Sequence, residues 1–321
     1  MNKPRVVVSR CLGFEACRWN GVTISSEIVS RLEPHVSFIT VCPEVEIGLG
    51  VPRDPIRLIR QEGDLRLVQP NTGRDLTEKM RAHVEHILNT TEQVHGFILK
   101  SKSPSCGFRD VKIYPGPGKV PVAAIGAGFF GGPVTERHPD LAVDDEARLT
   151  NFRIREHFFT KLFTIYRFKL AMEENTMRAM VKFHTIHKLL FLAFNQKQYR
   201  LLGPIVANHQ KKPVTEVFLD YEKRLKKLFA TIARTSSHIN VLMHTLGYVS
   251  SKISPEERSH FLHTLDLFRS KKIPLAAPLN IMRSWVIRFD ESYLRDQLYF
   301  QPFPEDLLEI GDTGKPKKVY S

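Results

Sequence analysis

The sequence contains few cysteines and no long apolar run. Four cysteines in 321 residues are too few for the disulfide framework of a small secreted domain. Every apolar run stays well short of the roughly 18 residues that cross a bilayer, and the first residues lack the pattern of a secretory signal peptide. These absences predict a cytoplasmic protein that makes no contact with a membrane.

Excess positive charge is nearly absent from the first half of the chain and abundant in the second. The formal net charge is +13, of which residues 1–150 contribute +1 and residues 151–321 contribute +12. A basic half beside a neutral one is typical of a catalytic part joined to a part that binds a polyanion such as nucleic acid. A helical domain with solvated Lys and Arg is the alternative.

Short apolar runs alternate with helix-like segments in the first half of the chain. Four such runs predict strands buried on both faces, at residues 6–8, 37–41, 96–99 and 121–125. Helical patterns separate them at 25–32 and 76–89, and the pattern is helical throughout from about residue 147. We therefore predict a doubly wound, mostly parallel α/β domain at 1–165 and an all-α domain at 166–321.

Three of the four cysteines follow directly on predicted strands. Cys11, Cys42 and Cys106 each stand just beyond a strand's carboxyl end, and these ends meet at the edge where open parallel sheets bind ligands. Three converging thiolates suit zinc or iron, and a metal site with three protein ligands keeps one position open for catalysis. Cys17 is a fourth ligand, a spare thiol or a core residue. Small buried apolar residues are the alternative for all four.

Polar residues accompany these cysteines. Glu44 comes two residues after Cys42, where its carboxylate is placed to move a proton. Ser101, Ser103 and Ser105 precede Cys106 and offer hydroxyl groups to a substrate or a cluster. A surface glutamate and helix-capping serines are the alternatives.

Gly126, Gly128 and Gly131 follow the G-x-G-x-x-G pattern of dinucleotide-binding loops. Pro133 comes at once, the motif lies late in the domain, and no second strand with an acidic residue follows at the usual spacing. We therefore predict a tight loop at the rim of the crevice and expect no nicotinamide or flavin cofactor.

Three segments of the first half resemble the thiouracil desulfidase family. They are Cys-Leu-Gly at 11–13, Cys-Pro-Glu-Val at 42–45 continuing to Val-Pro-Arg at 51–53, and Ser-Pro-Ser-Cys-Gly at 103–107. The resemblance covers about residues 4–165. The second half resembles a helical domain fused to that family, through Phe183-His184, His187-Lys188-Leu189, Tyr199 and Leu202-Gly203. Fused chains of this kind resemble tRNA 4-thiouridine desulfidases.

The resemblance implies a 4Fe–4S cluster held by Cys11, Cys42 and Cys106, with one open iron. That iron binds the thiocarbonyl sulfur, and water replaces the sulfur by oxygen without an electron donor. Glu44 takes the proton-transfer role and Ser103 orients the substrate, with Ser101 as a second candidate. Iron is thiophilic and a Lewis acid, which agrees with this chemistry.

Basic residues of the second half are candidates for contacts with RNA phosphates, which give affinity without reading sequence. They are Lys188, Arg200, Lys211, Lys212, Lys223, Arg224, Lys226 and Lys227. His184 and His187 are three residues apart, but without a third ligand they are interpreted as satisfied polar or core histidines rather than a metal pair.

The sequence thus favours a desulfidase that converts 4-thiouridine in tRNA to uridine. A desulfidase acting on free thiouracil or thionucleosides is the second reading. A non-catalytic RNA-binding module with a structural metal is the third. The oligomeric state is not predicted.

Overall fold

A computed structural model of the chain describes residues 3–91 and 93–308. They fall into two compact units that divide between Phe158 and Phe159. The predicted domain boundary after residue 165 lies inside the helix Phe152–Glu174 and stays a prediction. The end of the predicted second domain, at residue 321, lies outside the described residues. No helix in the described ranges is long and apolar enough to span a membrane.

The first unit contains nine strands in two sheets. In chain order they are β1 (Arg5–Ser9), β2 (Ser37–Val41), β3 (Arg57–Gln61), β4 (Asp64–Gln69), β5 (Arg74–Asp75), β6 (Gly96–Leu99), β7 (Val111–Tyr114), β8 (Ala124–Gly126) and β9 (Ala142–Asp145). The first sheet has the order β2-β1-β6-β9 and is parallel throughout. The order of its strands reverses beside β1, as in doubly wound folds.

The second sheet has the order β5-β4-β3-β7-β8 and is mostly antiparallel. It was not predicted, because the prediction rested on continuous apolar runs, whereas β3 and β4 mix charged and apolar residues. The predicted strand at 121–125 is displaced: β8 pairs with β7 in this second sheet, where Ile125 is 59% exposed. The fourth parallel strand is β9, whose sequence Ala-Val-Asp-Asp gives no apolar run.

Four helices and the start of a fifth surround the parallel sheet. They are α1 (Glu27–Leu32), α2 (Pro43–Glu46), α3 (Thr77–Thr90), α4 (Gly131–Arg137) and α5 (Phe152–Glu174), with a short 3₁₀ segment at Arg148–Thr150. Val7 and Phe97 share one core with apolar side chains of α3 and α4, whereas Val6 and Val8, equally buried, point to the opposite face because strand residues alternate. The predicted α/β class is confirmed.

The second unit is all-helical, as predicted. After α5 it comprises α6 (Met177–Ile186), α7 (Lys188–Phe194), α8 (Gln196–Ala207), α9 (Val214–Leu228), α10 (Thr235–Val249), α11 (Pro255–Arg269), α12 (Ala276–Arg288) and α13 (Ser292–Arg295), with a 3₁₀ turn at Glu305–Leu307. Aromatic residues such as Phe168, Phe191 and Tyr221 fill one core. Ser254 and Glu257 form a capping box at the start of α11.

Candidate active site

The carboxyl ends of three neighbouring parallel strands bring the predicted cysteines together. Cys11 follows β1, Cys42 directly follows β2, and Cys106 lies in the loop after β6. All three thiols are buried, and they line one cavity of about 460 Å³ together with Cys17. The cavity opens beside β1, where the strand order reverses and where this class of sheet binds ligands.

Burial makes these thiols poor acids. It raises the pKa of Cys11 to about 12, with Cys106 and Cys17 adding to the effect, and raises the pKa of Cys106 to about 11. The pKa of Cys42 is also raised, again mainly by burial. A thiol must lose its proton to bind metal as a thiolate. Three thiolates in this cavity therefore need a strongly positive centre beside them.

The cavity presents sulfur donors, and its lining among the described residues contains no histidine. Across residues 3–91 and 93–308, no three His, Cys, Asp or Glu side chains come together as the ligands of one ion. In an iron–sulfur cluster the thiolates are shared among several iron atoms. Soft sulfur donors without an imidazole suit iron in such a cluster.

Cys17 belongs to the same cavity but is held through its backbone. Its carbonyl oxygen accepts a hydrogen bond of 3.0 Å from Arg53 Nη1, and Cys42 Sγ lies 3.9 Å from that oxygen. The side chain is 1% exposed. The geometry therefore leaves all three predictions for Cys17, a fourth ligand, a spare thiol or a core residue, in place.

Glu44 is buried at the start of α2 and carries partners on both oxygens. Oε2 accepts hydrogen bonds from Arg53 Nη2 at 2.6 Å and Nε at 3.1 Å. Oε1 accepts one from Ser105 Oγ at 2.7 Å and a longer one from Ser103 Oγ at 3.4 Å. Both bonds from the guanidinium converge on Oε2, so Arg53 anchors that oxygen, and Oε1 is left facing the hydroxyl groups beside Cys106.

Ser103 ties these hydroxyls to the cysteine loop. Its Oγ accepts hydrogen bonds from the backbone N–H of Cys106 at 3.1 Å and of Ser105 at 3.3 Å, and lies 3.0 Å from Ser105 Oγ. Ser105 Oγ in turn lies 3.8 Å from Cys106 Sγ. Glu44, Ser103 and Ser105 therefore form one network that ends at a predicted ligand.

Ser101 lies in a second network, apart from Glu44. Its Oγ donates to Glu146 Oε1 at 2.8 Å and its N–H to Glu146 Oε2 at 2.9 Å, while Lys100 Nζ bonds both Ser101 and Glu146. The N–H of Lys100 donates to Ser9 Oγ at the end of β1. Sequence reasoning missed both partners. Glu146 was missed because it follows β9, a strand that has no apolar run.

The glycine motif holds the Cys106 loop in place. The N–H groups of Gly128 and Gly131 donate to the carbonyl oxygens of Gly107 and Ser105, at 2.6 and 3.0 Å. A Cβ on Gly128 would lie 2.5 Å from Pro104 O and 2.6 Å from Ser105 O. The glycines thus serve a close backbone approach between two segments. None of them lines the cavity, so the predicted position at the rim of the crevice is not supported, and the motif opens the helix α4 despite Pro133.

The predicted RNA-binding residues are spread over the second unit. Lys212 and Lys223 both pair with Asp220, at 2.9 and 3.2 Å, so part of their charge is neutralised. Lys188 is half-buried, with Nζ 5.7 Å from the ring centre of Tyr293. The remainder lie on or between α8 and α9, exposed or partly exposed, namely Arg200, Lys211, Arg224, Lys226 and Lys227.

His184 and His187 are each bonded through Nδ1 within the fold, whereas Nε2 of His187 is buried without a hydrogen-bond partner in the described ranges. Nδ1 of His184 lies 2.9 Å from Tyr221 Oη, and Nδ1 of His187 lies 2.7 Å from Phe183 O. Burial lowers the pKa of His184 to about 4 and that of His187 to about 3. Both stay neutral in the fold at physiological pH.

Residues 6–146 match the family model described as 2-thiouracil desulfurase, and residues 188–304 match that of a protein of unknown function, DUF1722. The uncharacterized protein YbgA of Escherichia coli strain K12 is 31% identical over 164 residues, which cover 50% of this chain and 96% of that protein. YbbK of Bacillus subtilis strain 168, also uncharacterized, is 32% identical over 109 residues, 32% of this chain and 72% of that protein.

A solved structure is similar to part of the chain. It is the [4Fe-4S]-dependent thiouracil desulfidase TudS, which shares 30% sequence identity. The match covers 46% of this chain and 93% of TudS, with a TM-score of 0.37.

Proposed function

Because this chain belongs to the 2-thiouracil desulfurase family through its residues 6–146, we propose that it removes sulfur from 4-thiouridine in tRNA. The products are uridine and hydrosulfide, and the net reaction is a hydrolysis without an electron donor. The observation that carries the proposal is the single cavity lined by Cys11, Cys42, Cys106 and Glu44.

In this proposal the three cysteines hold a 4Fe–4S cluster with one open iron. When bound, the cluster supplies a thiophilic Lewis acid that draws the thiocarbonyl sulfur and polarises the C–S bond. Three buried thiols that line one cavity support the assignment.

Glu44 is the proton carrier of the proposed reaction. Arg53 holds Oε2, so Oε1 is the oxygen that takes the proton of the attacking water and returns it. The hydroxyl of Ser103 lies beside this oxygen and beside the Cys106 loop, where it orients the base. Ser101 bonds Glu146 instead, which favours Ser103 of the two predicted serines.

The rim of the cavity favours a substrate that carries phosphates. Arg18, Lys102 and Lys112 line the cavity, and none of them forms an ion pair with a carboxylate in the described ranges. A free thiolated base has no anionic group that these basic side chains could bind, whereas a base within RNA is flanked by phosphates. Free 2-thiouracil is the second candidate substrate, favoured by the description of the family model.

The decisive experiment is turnover with anaerobically reconstituted protein. Thiolated tRNA and free 2-thiouracil are supplied separately, and the nucleosides or bases are quantified by mass spectrometry. We expect loss of 4-thiouridine and gain of uridine in tRNA. An iron-loaded protein that leaves 4-thiouridine intact contradicts the tRNA proposal, and one that also leaves 2-thiouracil intact contradicts desulfidation.

Two variants assign roles within this assay. Glu44→Gln keeps an oxygen for Ser105 but cannot carry a proton, so we expect turnover to fall by about 10²- to 10⁴-fold with unchanged iron content; full turnover would remove Glu44 from the chemistry. Lys112→Gln should raise KM for tRNA and leave KM for 2-thiouracil unchanged. Lys119→Gln is the control, since Lys119 is exposed and does not line the cavity.

A further inference from the structure

The second unit contains a cavity that the proposed desulfidation does not use. It has a volume of about 600 Å³ and lies between α5, α12 and the segment from α13 to residue 304. Sites for small molecules range from about 300 to 1,000 Å³, so this cavity has the size of a ligand site. All of its lining belongs to the second unit.

Three arginines and one carboxylate line this arginine cavity. Arg283 pairs with Glu305 at 2.8 Å, and Arg295 pairs with Asp290. Arg167 has no carboxylate partner among the described residues. Asp296, the acidic residue of the lining, is exposed and forms no ion pair with Arg167 in the described ranges, so the guanidinium of Arg167 has no carboxylate bonded to it.

Arg167 is the residue that most clearly lacks an anion. Its Nη1 donates to Pro302 O at 2.7 Å, which uses one of its five N–H groups. Burial without a counter-charge lowers the pKa of Arg167 to about 10. A planar guanidinium binds phosphate oxygens through two parallel hydrogen bonds, and this group lines an open cavity.

Apolar side chains, three of them phenylalanines, form another part of the wall. Phe163, Leu294, Phe300 and Phe303 line the same cavity as Arg167. A ligand that fits both parts has an anionic group for the guanidinium and a flat ring for the aromatic side chains. A nucleotide has this combination, and ring stacking on aromatic side chains contributes to binding whatever the base.

We propose that the arginine cavity binds a nucleotide, with the phosphate on Arg167 and the base against the phenylalanine wall. The nucleotide is either free or one unit of an RNA strand, since both present the same phosphate and ring. Ligand binding is measured without turnover, so this inference does not depend on the desulfidase proposal.

The test is calorimetric titration of the full chain with uridine monophosphate, uridine, inorganic phosphate and benzoate. We expect the monophosphate to bind at least tenfold more tightly than uridine or benzoate, about 1.4 kcal/mol in binding free energy. An oligouridylate that displaces the monophosphate identifies RNA as the source, and one that does not identifies the free nucleotide. No saturable binding of the monophosphate at millimolar concentration, or equal binding of benzoate, overturns the proposal.

Variants locate the bound phosphate. Arg167→Gln should weaken binding of the monophosphate by about tenfold or more, since hydrogen bonds to charged groups are roughly twice as strong as neutral ones. Arg283→Gln should also weaken binding, whereas Arg288→Gln should not. Arg283 and Arg288 lie on the same helix, and only Arg283 lines the cavity. If Arg167→Gln does not fold, the comparison of Arg283→Gln with Arg288→Gln still tests the proposal. Equal affinities of these two variants for the monophosphate would overturn the placement of the nucleotide in the arginine cavity.

Discussion

The two units each contain an arginine taken out of water, and they treat it in opposite ways. In the first unit Arg53 is 6% exposed and its guanidinium bonds Glu44 and the carbonyl oxygens of Cys17 and Gly50. In the second unit Arg167 is partly buried and bonds Pro302 O. Arg53 completes a network that belongs to the fold, whereas Arg167 leaves donors for something outside the fold.

The same contrast runs through the charges of the two halves. Around the cysteine cavity, Lys100 pairs with Glu146 and Arg10 pairs with Glu46, and residues 1–150 carry only one excess positive charge. Residues 151–321 carry twelve. Paired charges hold catalytic groups in position, while unpaired charges attract anions. The cysteine cavity has both kinds, since Arg18, Lys102 and Lys112 line it without an ion pair in the described ranges, whereas the excess of positive charge belongs to the second half.

Removing each arginine tests the comparison most directly. Arg53→Met leaves the buried Glu44 carboxylate without its counter-charge, which typically costs about 3–5 kcal/mol of unfolding free energy. Arg167→Met leaves no carboxylate without its counter-charge, so we expect the free energy of unfolding to change by at most about 1 kcal/mol, in either direction. Urea denaturation of the two variants measures both values, and equal destabilisation would break the comparison.

The glycine loop offers the next largest effect. Gly128→Ala places a Cβ against the backbone oxygens of Pro104 and Ser105, and overpacking of this kind costs about 1–3 kcal/mol. Because the clash falls on the Cys106 loop, we also expect lower iron content after anaerobic reconstitution.

Gly116→Ala is the matched control, since a Cβ at that position meets no atom within 4 Å. Thermal unfolding and iron analysis of the two variants give the readout. A Gly128→Ala protein as stable and as iron-rich as the Gly116→Ala protein would show that the glycine loop does not hold the Cys106 loop in place.

The sequence predicted the parallel sheet where strands are continuous apolar runs. The strands β1, β2 and β6 were placed in this way, and each is followed by a predicted ligand. It failed at β9, because Asp144 and Asp145 are polar residues buried by pairing and capping rather than by their own hydrophobicity. Periodicity does not detect strands of that kind.

The meeting of three cysteines at one cavity was predictable from the sequence, whereas the hydrogen-bond network beside them was not. Position after a strand singled out Cys11, Cys42 and Cys106. The partners Arg53 and Ser105 were seen as neighbours in sequence, but their joint hold on Glu44 depends on how two loops fold against each other. The arginine cavity was missed altogether, because Arg167 and residues near 300 are remote in sequence.

The buried histidines should make the stability of the second unit sensitive to acid. The pKa of His187 is about 3 in the fold because burial disfavours the imidazolium, with Arg167 and His184 adding repulsion. Below the ordinary value of about 6.5 the unfolded chain binds a proton that the folded chain does not. Stability is therefore lost as pH falls from about 6.5 toward 3, by up to about 1.4 kcal/mol per pH unit.

His187→Asn should flatten this dependence, since the asparagine amide bonds Phe183 O without titrating. His209→Asn is the control, because His209 is exposed. The measurement is the unfolding free energy in urea between about pH 7 and pH 4. A slope that is the same in His187→Asn and the unchanged chain would assign the acid sensitivity to other groups.

The smallest expected effect separates paired from unpaired lysines on the proposed RNA surface. Lys227 is exposed on α9 and forms no ion pair with any carboxylate in the described ranges, whereas Lys212 pairs with Asp220. Each lysine that neutralises an RNA phosphate contributes about 0.7 to 0.9 to the slope of log affinity against log salt. Lys227→Gln should lower the slope for tRNA by about that amount. Lys212→Gln should lower it less, because Asp220 already neutralises part of that charge. Equal slopes in both variants would mean that pairing within the fold does not decide which lysines meet RNA.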